Sequence, residues 1–182
     1  KSPNPAKAGR VKSTEVARKF GLTAPLPDTP SMPIGSDEVT VLEHAVAYAT
    51  FANKGKSVKP HAVLEVRTGT GDLVWRFDRD GKKPLQAIPA SVAADMAWMM
   101  SHVVSEGTAR RAALDGIPTA GKTGTTNAYR DAWFVGYTGN FTCAVWYGND
   151  DYSPTNRMTG GSLPAQTWRE IMVVAHQGVE VK

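Results

Sequence analysis

The segment from residue 119 to residue 148 constrains the fold most, because it contains three predicted strands joined by short connections. The predicted strands cover residues 119–126, 132–138 and 142–148. The last two are apolar almost throughout, which is typical of a sheet that is covered on both faces. The dipeptide Gly139-Asn140 supplies a tight turn between them. The segment therefore predicts an antiparallel sheet that lies in contact with helices.

Two helical patterns precede these strands. Thr40 and Glu43 form a capping box that opens the first helix, and the run Asn53-Lys54-Gly55 ends it. The second helix is predicted over residues 89–104. The residues of this second helix that we expect in the core are Val92, Met96, Trp98, Met99 and Val103.

A further helix is predicted at the C-terminus. It starts near Ser162, with Pro164 in its first turn, where the missing N–H of proline costs nothing. The residues that we expect to pack on the sheet are Trp168, Ile171, Met172 and Ala175.

The remaining pattern is a hairpin between the first two helices. Its second strand is predicted from the alternation of Leu73, Trp75 and Phe77, and its turn covers residues 68–72. The order helix, hairpin, helix, three strands, helix predicts an α+β fold with an antiparallel sheet flanked by helices. These elements occupy residues 36–182. Residues 1–35 are predicted to be a loop-rich lead-in, with loop over residues 1–10 and one short helix over residues 13–20.

Composition and charge argue against several classes of function. The net charge is +4, but the Lys and Arg residues are scattered, so no nucleic-acid partner is predicted. No run of about 18 apolar residues marks a membrane span. The histidines lack the spacing of metal ligands, and Cys143 is the sole cysteine, so no metal site is expected.

The segment Gly121-Lys122-Thr123-Gly124-Thr125-Thr126 carries the candidate chemistry. On a strand, Thr123 and Thr125 share one face, where their hydroxyls and nearby N–H groups could hold a carboxylate. Gly124 would let an extended peptide approach and add to the sheet. The ammonium of Lys122 would stabilise an anion. From the residues alone, an ordinary edge strand explains the same pattern.

Lys-Thr-Gly is also one of the motifs shared by penicillin-binding proteins and class A β-lactamases. Further segments, in the right order, extend this likeness over roughly residues 35–172. The chain resembles the C-terminal part of the transpeptidase domain of class A (bifunctional) penicillin-binding proteins, which implies a serine β-lactamase/transpeptidase-like fold. The segments that carry the resemblance are residues 47–53, 107–112, 121–126, 130–138, 146–150 and 159–161, followed by Ala165 and Trp168.

The resemblance implies a serine acyltransferase that cross-links peptidoglycan and needs neither a cofactor nor a metal. Such an enzyme attacks the terminal D-Ala–D-Ala of a stem peptide, passes the acyl group to an amine of a neighbouring stem, and is trapped by β-lactam antibiotics. By resemblance, Lys122 is catalytic, whereas Thr123, Gly124 and Thr125 bind the substrate. The backbone N–H of Thr125 would form half of the oxyanion hole. Arg110 and Arg111 could face an anionic substrate, although a solvated helix end explains them too.

The nucleophile of this family is the serine of an S-x-x-K motif, and no serine in this chain has a lysine three positions later. We expect that motif before Lys1, in an upstream part of the same domain, so the chain alone should be inactive. Ser2-Pro3-Asn4 has the letters of the family's S-x-N motif, in which Ser2 would relay a proton and Asn4 would contact the substrate. Pro3, Pro5 and the spacing depart from the family's pattern, so a chance match in a flexible tail is the alternative.

Two other functions stay open. A serine β-lactamase shares Lys-Thr-Gly but hydrolyses the acyl intermediate, and the matches at residues 107–112 and 159–168 argue against it. A penicillin-binding or peptide-binding module without a nucleophile would explain the absent S-x-x-K. Under the family reading, the partners are peptidoglycan stem peptides and β-lactams. The parent protein would then be membrane-anchored and would face the periplasm or the outer cell surface.

A sheet that lacks its upstream helical half would expose apolar surface. We therefore expect this chain to melt at a lower temperature than a version extended by upstream residues, as measured by calorimetry. Equal melting temperatures would contradict the predicted division of the domain.

Overall fold

The computed structural model describes residues 4–182 and has the predicted α+β architecture. The helices are α1 (Pro5–Lys19), α2 (Val41–Ala52), α3 (Phe77–Asp80), α4 (Ala90–Ser105) and α5 (Leu163–Ala175). The strands are β1 (Glu65–Arg67), β2 (Leu73–Arg76), β3 (Ala120–Thr125), β4 (Asp131–Tyr137) and β5 (Thr142–Gly148). Short 3₁₀ turns lie at Met32–Ile34, Arg110–Ala112 and Asn127–Tyr129. Within residues 4–182, no helix has both the length and the apolar character needed to cross a membrane.

The three C-terminal strands form one antiparallel sheet in the order β3-β4-β5, and β1 pairs with β2 in a separate hairpin. The register places Lys122 opposite Val135 and Thr123 opposite Phe134. Because side chains alternate along a strand, Thr123 and Thr125 lie on the face of Phe134, and Lys122 lies on the other face. The two faces of β3 therefore carry different candidate groups.

Helix α5 covers the sheet face that carries Phe134. Trp168 is fully buried and meets the Phe134 ring edge-on, with the ring centroids 5.2 Å apart. Its Nε1 donates to the carbonyl of Cys143 at 3.0 Å. Met172 is buried as predicted, whereas Ile171 is exposed, contrary to the prediction.

Helices α2 and α4 cover the opposite face. Met100 of α4 packs with Ala120 and Tyr137 of the sheet, and Tyr48 and Phe51 of α2 join this cluster. Burial raises the pKa of Tyr48 to about 12 and also raises the pKa of Tyr137. With α5 on the other side, the sheet is covered on both faces, as its apolar strands predicted.

The predicted core face of α4 is wrong by one position. Ala93, Met100 and Val104 are buried, whereas Met96 and Val103 are only partly buried and pack against the core. The buried position of Ala93 was hard to predict, because an alanine adds little to an apolar pattern in the sequence. The large residues of α4 that the sequence placed in the core, and that are exposed instead, are Val92, Trp98 and Met99.

The N-terminal segment is more helical than predicted. Asn4 caps α1, since its Oδ1 accepts the N–H of Lys7 at 3.0 Å, and Pro5 stands in the first turn. Proline is well tolerated there because the first helical N–H groups have no partner within the helix. The loop predicted over residues 1–10 is therefore wrong from Pro5 onward.

The capping box of α2 is confirmed. Thr40 Oγ1 accepts the N–H of Glu43 at 3.1 Å, and the helix ends at Asn53 as predicted. The Glu43 carboxylate also accepts the N–H of Thr23 at 2.8 Å and bonds the Thr23 hydroxyl. These bonds from Thr23, with lesser ones from Thr40, lower the pKa of Glu43 to about 2. They attach the N-terminal segment to α2.

The second strand of the hairpin differs from the prediction at one residue. Phe77 was expected in its second strand, but β2 ends at Arg76 and Phe77 begins α3. The chain turns here because the Asp80 carboxylate accepts the N–H of Arg76 at 2.8 Å. The Phe77 ring then stacks on His61.

His44 of α2 lies between two aromatic rings on the covered face of the sheet. Its ring centroid is 5.3 Å from that of Tyr48 and 5.2 Å from that of Trp133. Its Nδ1 is buried and has no hydrogen-bond partner among residues 4–182. This burial lowers the pKa of His44 below its ordinary value of 6.5.

The position of His44 predicts a loss of stability in mild acid. As the pH falls below about 6.5, His44 becomes protonated in the unfolded chain but stays neutral in the folded chain, where its pKa is lower. The free energy of unfolding therefore decreases as the pH falls. Replacing His44 with Phe should flatten this dependence, as measured by urea unfolding at pH 7.5 and pH 5.5. The same slope in the variant and the parent chain would exclude His44 as its source.

Candidate active site

The candidate site lies at the open edge of β3. Among the described strands, β3 pairs only with β4. The N–H of Thr126 donates to the carbonyl of Asp131 at 3.0 Å, so even-numbered residues along this register point their backbone groups toward β4. Thr123 and Thr125 consequently point their N–H and C=O groups away from the sheet. An extended peptide could pair with these groups.

Lys122 places its ammonium along this same edge. The side chain is exposed, and its Nζ donates to the carbonyl of Thr123 at 2.8 Å. That carbonyl is one of the outward-pointing groups of β3. A positive charge therefore lies beside the outward-pointing backbone groups of the strand edge.

The threonine hydroxyls occupy the other side of β3. Thr123 Oγ1 lies 2.7 Å from Thr108 Oγ1, and Thr125 Oγ1 accepts the N–H of Gly160 at 3.1 Å. Together they contribute to a cavity of about 460 Å³. The residues that line it are Thr108, Arg111, Thr123, Thr125, Thr159, Gly161 and Ser162.

Two glycines before α5 let the chain lie directly on the sheet. A Cβ at Gly160 would stand 2.1 Å from the carbonyl oxygen of Trp133 and 2.6 Å from that of Gly124. A Cβ at Gly161 would stand 2.0 Å from the carbonyl oxygen of Thr108. Any larger residue would force this turn away from β3 and open the cavity.

The loop after β3 is held by hydrogen bonds to β5 and to the connection between β5 and α5. Asp131 accepts a hydrogen bond from Trp146 Nε1 at 2.9 Å, and the N–H of Thr155 donates to the carbonyl of Tyr129 at 2.9 Å. Ala128 and Tyr129 both have positive φ, at 58° and 57°. Such conformations cost free energy and persist only where surrounding contacts impose them. The end of β3 is thereby held in one position.

Most of the predicted site residues lie on one strand in the structure. Lys122, Thr123, Gly124 and Thr125 all lie on β3. Asn4 is instead placed at the start of α1, where its side chain caps the helix, and Ser2 lies outside the described residues. The roles of all six remain predictions.

Sequence reasoning missed part of the cavity wall. Thr108, Thr159 and Ser162 were not singled out as site residues, and for Arg111 a solvated helix end remained the alternative to a substrate contact. Only the resemblance at residues 107–112 and 159–161 marked these stretches, because their side chains meet β3 across more than ten residues of intervening chain.

Comparison with known proteins gives a consistent result. A family model described as the penicillin-binding protein transpeptidase domain matches residues 17–173. Penicillin-binding protein 1A of Neisseria meningitidis is 37% identical over 180 residues, which cover 91% of this chain and 21% of that protein. Penicillin-binding protein 1A of Aquifex aeolicus is 35% identical over 161 residues, which cover 88% of this chain and 22% of that protein. The chain thus spans about a fifth of the length of these curated relatives.

Solved structures show the same relationship. PonA1 of Mycobacterium tuberculosis in complex with penicillin V aligns with a TM-score of 0.83 and 26% identity, covering 96% of this chain and 52% of that one. Penicillin-binding protein 1A of Haemophilus influenzae aligns with a TM-score of 0.84, covering 96% of this chain and 32% of that one. Its identity is 20%, so this second likeness concerns the fold alone.

The close approach at Gly160 predicts a large effect from a small substitution. Gly160→Ala should lower the free energy of unfolding by about 1–3 kcal/mol, because the added methyl group has no room to fit. Urea unfolding would measure the loss. Gly69→Ala in the hairpin turn is the control, since its Cβ would meet nothing within 4 Å. Equal losses in the two variants would contradict the close packing of the turn on β3.

Proposed function

Because this chain belongs to the penicillin-binding protein transpeptidase domain family, we propose that it supplies the Lys-Thr-Gly strand of a peptidoglycan D,D-transpeptidase. The observation that carries the proposal is the open edge of β3, where the ammonium of Lys122 adjoins outward-pointing backbone groups. The chain is the C-terminal portion of the domain. The portion before it brings the serine nucleophile of S-x-x-K, which this sequence lacks.

The substrate is a stem peptide that ends in D-Ala–D-Ala. It lies extended along β3 and pairs with the outward-pointing N–H of Thr123 and the N–H and C=O groups of Thr125. Its terminal carboxylate faces the hydroxyls of the same two threonines, which lie on one side of the strand. Gly124 carries no side chain that would obstruct this approach.

Acyl transfer then proceeds in two steps. The serine oxygen attacks the carbonyl carbon of the penultimate D-Ala, and the C–N bond to the terminal D-Ala breaks as that residue leaves with a proton on its amine. An amine of a neighbouring stem next attacks the acyl-enzyme ester, forms the cross-link and returns a proton to the serine. The outward N–H of Thr125 stabilises the oxyanion in both steps. The ammonium of Lys122 stabilises developing negative charge and assists proton transfer.

The same edge accommodates β-lactams, which mimic the substrate and trap the acyl form. The likeness to PonA1, whose structure contains penicillin V, supports this part of the proposal. The parent protein is membrane-anchored, and its transpeptidase domain faces the periplasm or the outer cell surface, as its similarity to class A penicillin-binding proteins suggests.

A second candidate function follows from one observation. No serine of the chain stands three residues before a lysine, which favours a binding module without a nucleophile. Such a module would hold the stem peptide or a penicillin on β3 without forming a covalent bond.

Covalent labelling by a fluorescent penicillin separates these functions. We expect no labelling of this chain and clear labelling of a chain extended upstream, because the nucleophile lies in the added part. No labelling of the extended chain, with its fold verified by circular dichroism, would favour the binding module. Rapid turnover of a chromogenic β-lactam by the extended chain would instead indicate a β-lactamase.

A lysine substitution tests the role of the strand itself. In the extended chain, Lys122→Ala should slow labelling about a hundredfold or more, since a positioned proton-transfer group contributes that much. Lys59→Ala, at an exposed loop residue, is the matched control and should label at the parent rate. Equal rates for both variants would remove Lys122 from the mechanism.

A further inference from the structure

The cavity beside β3 offers two hydroxyl protons that no group among residues 4–182 accepts. Thr108 and Thr123 share one hydrogen bond, so one of the two donates and the other keeps its proton free. Thr125 accepts the N–H of Gly160 and therefore also keeps its own proton. Ser162 adds none, because its hydroxyl donates to the carbonyl of Thr159 at 2.6 Å. Two spare donors on one wall suit the two oxygens of a carboxylate.

Arg111 brings a positive charge to the same cavity. Its side chain lines the cavity with Thr108 and Thr125, and it forms no hydrogen bond or ion pair within residues 4–182. The adjacent Arg110 differs, since its guanidinium donates to the carbonyl of Glu106 at 2.8 Å. An arginine without a partner beside free hydroxyl protons is arranged for a planar anion, which its guanidinium can bind through two parallel hydrogen bonds.

Lys122 does not take this place. Its side chain leaves β3 on the opposite side from the Thr123 hydroxyl, and its ammonium is bonded to a backbone carbonyl at the strand edge. The charge that faces the hydroxyls therefore comes from a different element, the 3₁₀ turn at Arg110–Ala112. Separate cations serve the strand edge and the hydroxyl side.

We propose that Arg111 is the residue that makes the site select a free C-terminal carboxylate, with the Thr108–Thr123 pair and Thr125 supplying the hydrogen bonds that orient it. This inference rests on the proposed function, because the carboxylate is that of the terminal D-Ala. Arg111 contacts the end of the substrate and takes no part in proton transfer. Its contribution is to distinguish a carboxylate from a neutral carboxamide of the same shape.

Binding to this chain tests the inference without any covalent step. The probes are N-acetyl-D-Ala-D-Ala and its C-terminal amide, and the readout is the chemical shift of the Thr123 and Thr125 amides during titration. The parent chain and Arg110→Gln should prefer the carboxylate, whereas Arg111→Gln should bind it about tenfold more weakly, in line with the loss of a charged hydrogen bond. The amide should bind all three chains with the same weak affinity.

The outcomes of this titration decide whether Arg111 selects the carboxylate. Equal affinity of the parent chain and Arg111→Gln for the carboxylate would overturn the proposal, as would an equal loss in Arg110→Gln, which would indicate only general charge attraction. Shifts confined to residues outside this cavity, with the Thr123 and Thr125 amides unmoved, would overturn the placement of the site. The proposed transpeptidase function stands or falls separately, on penicillin labelling of the extended chain.

Discussion

The burial of Trp168 against Phe134 is the contact on which the candidate site depends. It fixes α5 to one face of the sheet, with the indole N–H bonded to a carbonyl of β5. Truncating a buried aromatic of this kind typically costs about 3–5 kcal/mol, a large share of the stability of a domain. Because α5 is held there, the turn before it is pressed onto β3, and Gly160 can reach the hydroxyl of Thr125. Core packing and the shape of the cavity are thus parts of the same arrangement.

Because side chains alternate along β3, the threonine hydroxyls and the Lys122 ammonium lie on opposite sides of the same strand. On one side stand hydroxyls with spare protons and the guanidinium of Arg111, which suit a bound carboxylate. At the edge stand the ammonium of Lys122 and outward backbone groups, which suit a reacting carbonyl. A peptide paired with the edge could present its terminus to the first set and its scissile bond to the second. Neither set would serve this purpose if the register slipped by one residue, because every side chain would change faces.

The surroundings of the strand explain why its geometry is fixed. The loop after β3 adopts positive φ at Ala128 and Tyr129, and contacts with residues of the β5–α5 connection hold it there. The turn at Gly160 and Gly161 admits no side chain at all. A site built on a strand that is constrained from two directions need not reorganise when a substrate binds, which lowers the cost of stabilising charge in the transition state.

The sequence by itself determined most of the secondary structure and placed the Lys-Thr-Gly segment on a strand. The capping box at Thr40, the Gly139-Asn140 turn and the apolar strands act over a few residues, so their outcomes were predictable and are confirmed. The start of α1 at Pro5 and the end of β2 before Phe77 are also local features. Each depends on one hydrogen bond, to the side chain of Asn4 or of Asp80, and the pattern of neighbouring residues does not predict either bond.

Only the tertiary structure decided which side of α4 is buried and which residues join β3 in the cavity. Ala93 is buried while its larger neighbour Val92 is exposed, because the packing of the whole helix, and not the size of one side chain, sets which side faces inward. Thr108, Arg111 and Gly160 meet β3 because α4 and α5 are anchored to the sheet on either side of it in sequence. Such meetings between distant segments depend on the packing of whole elements, which no short stretch of sequence specifies.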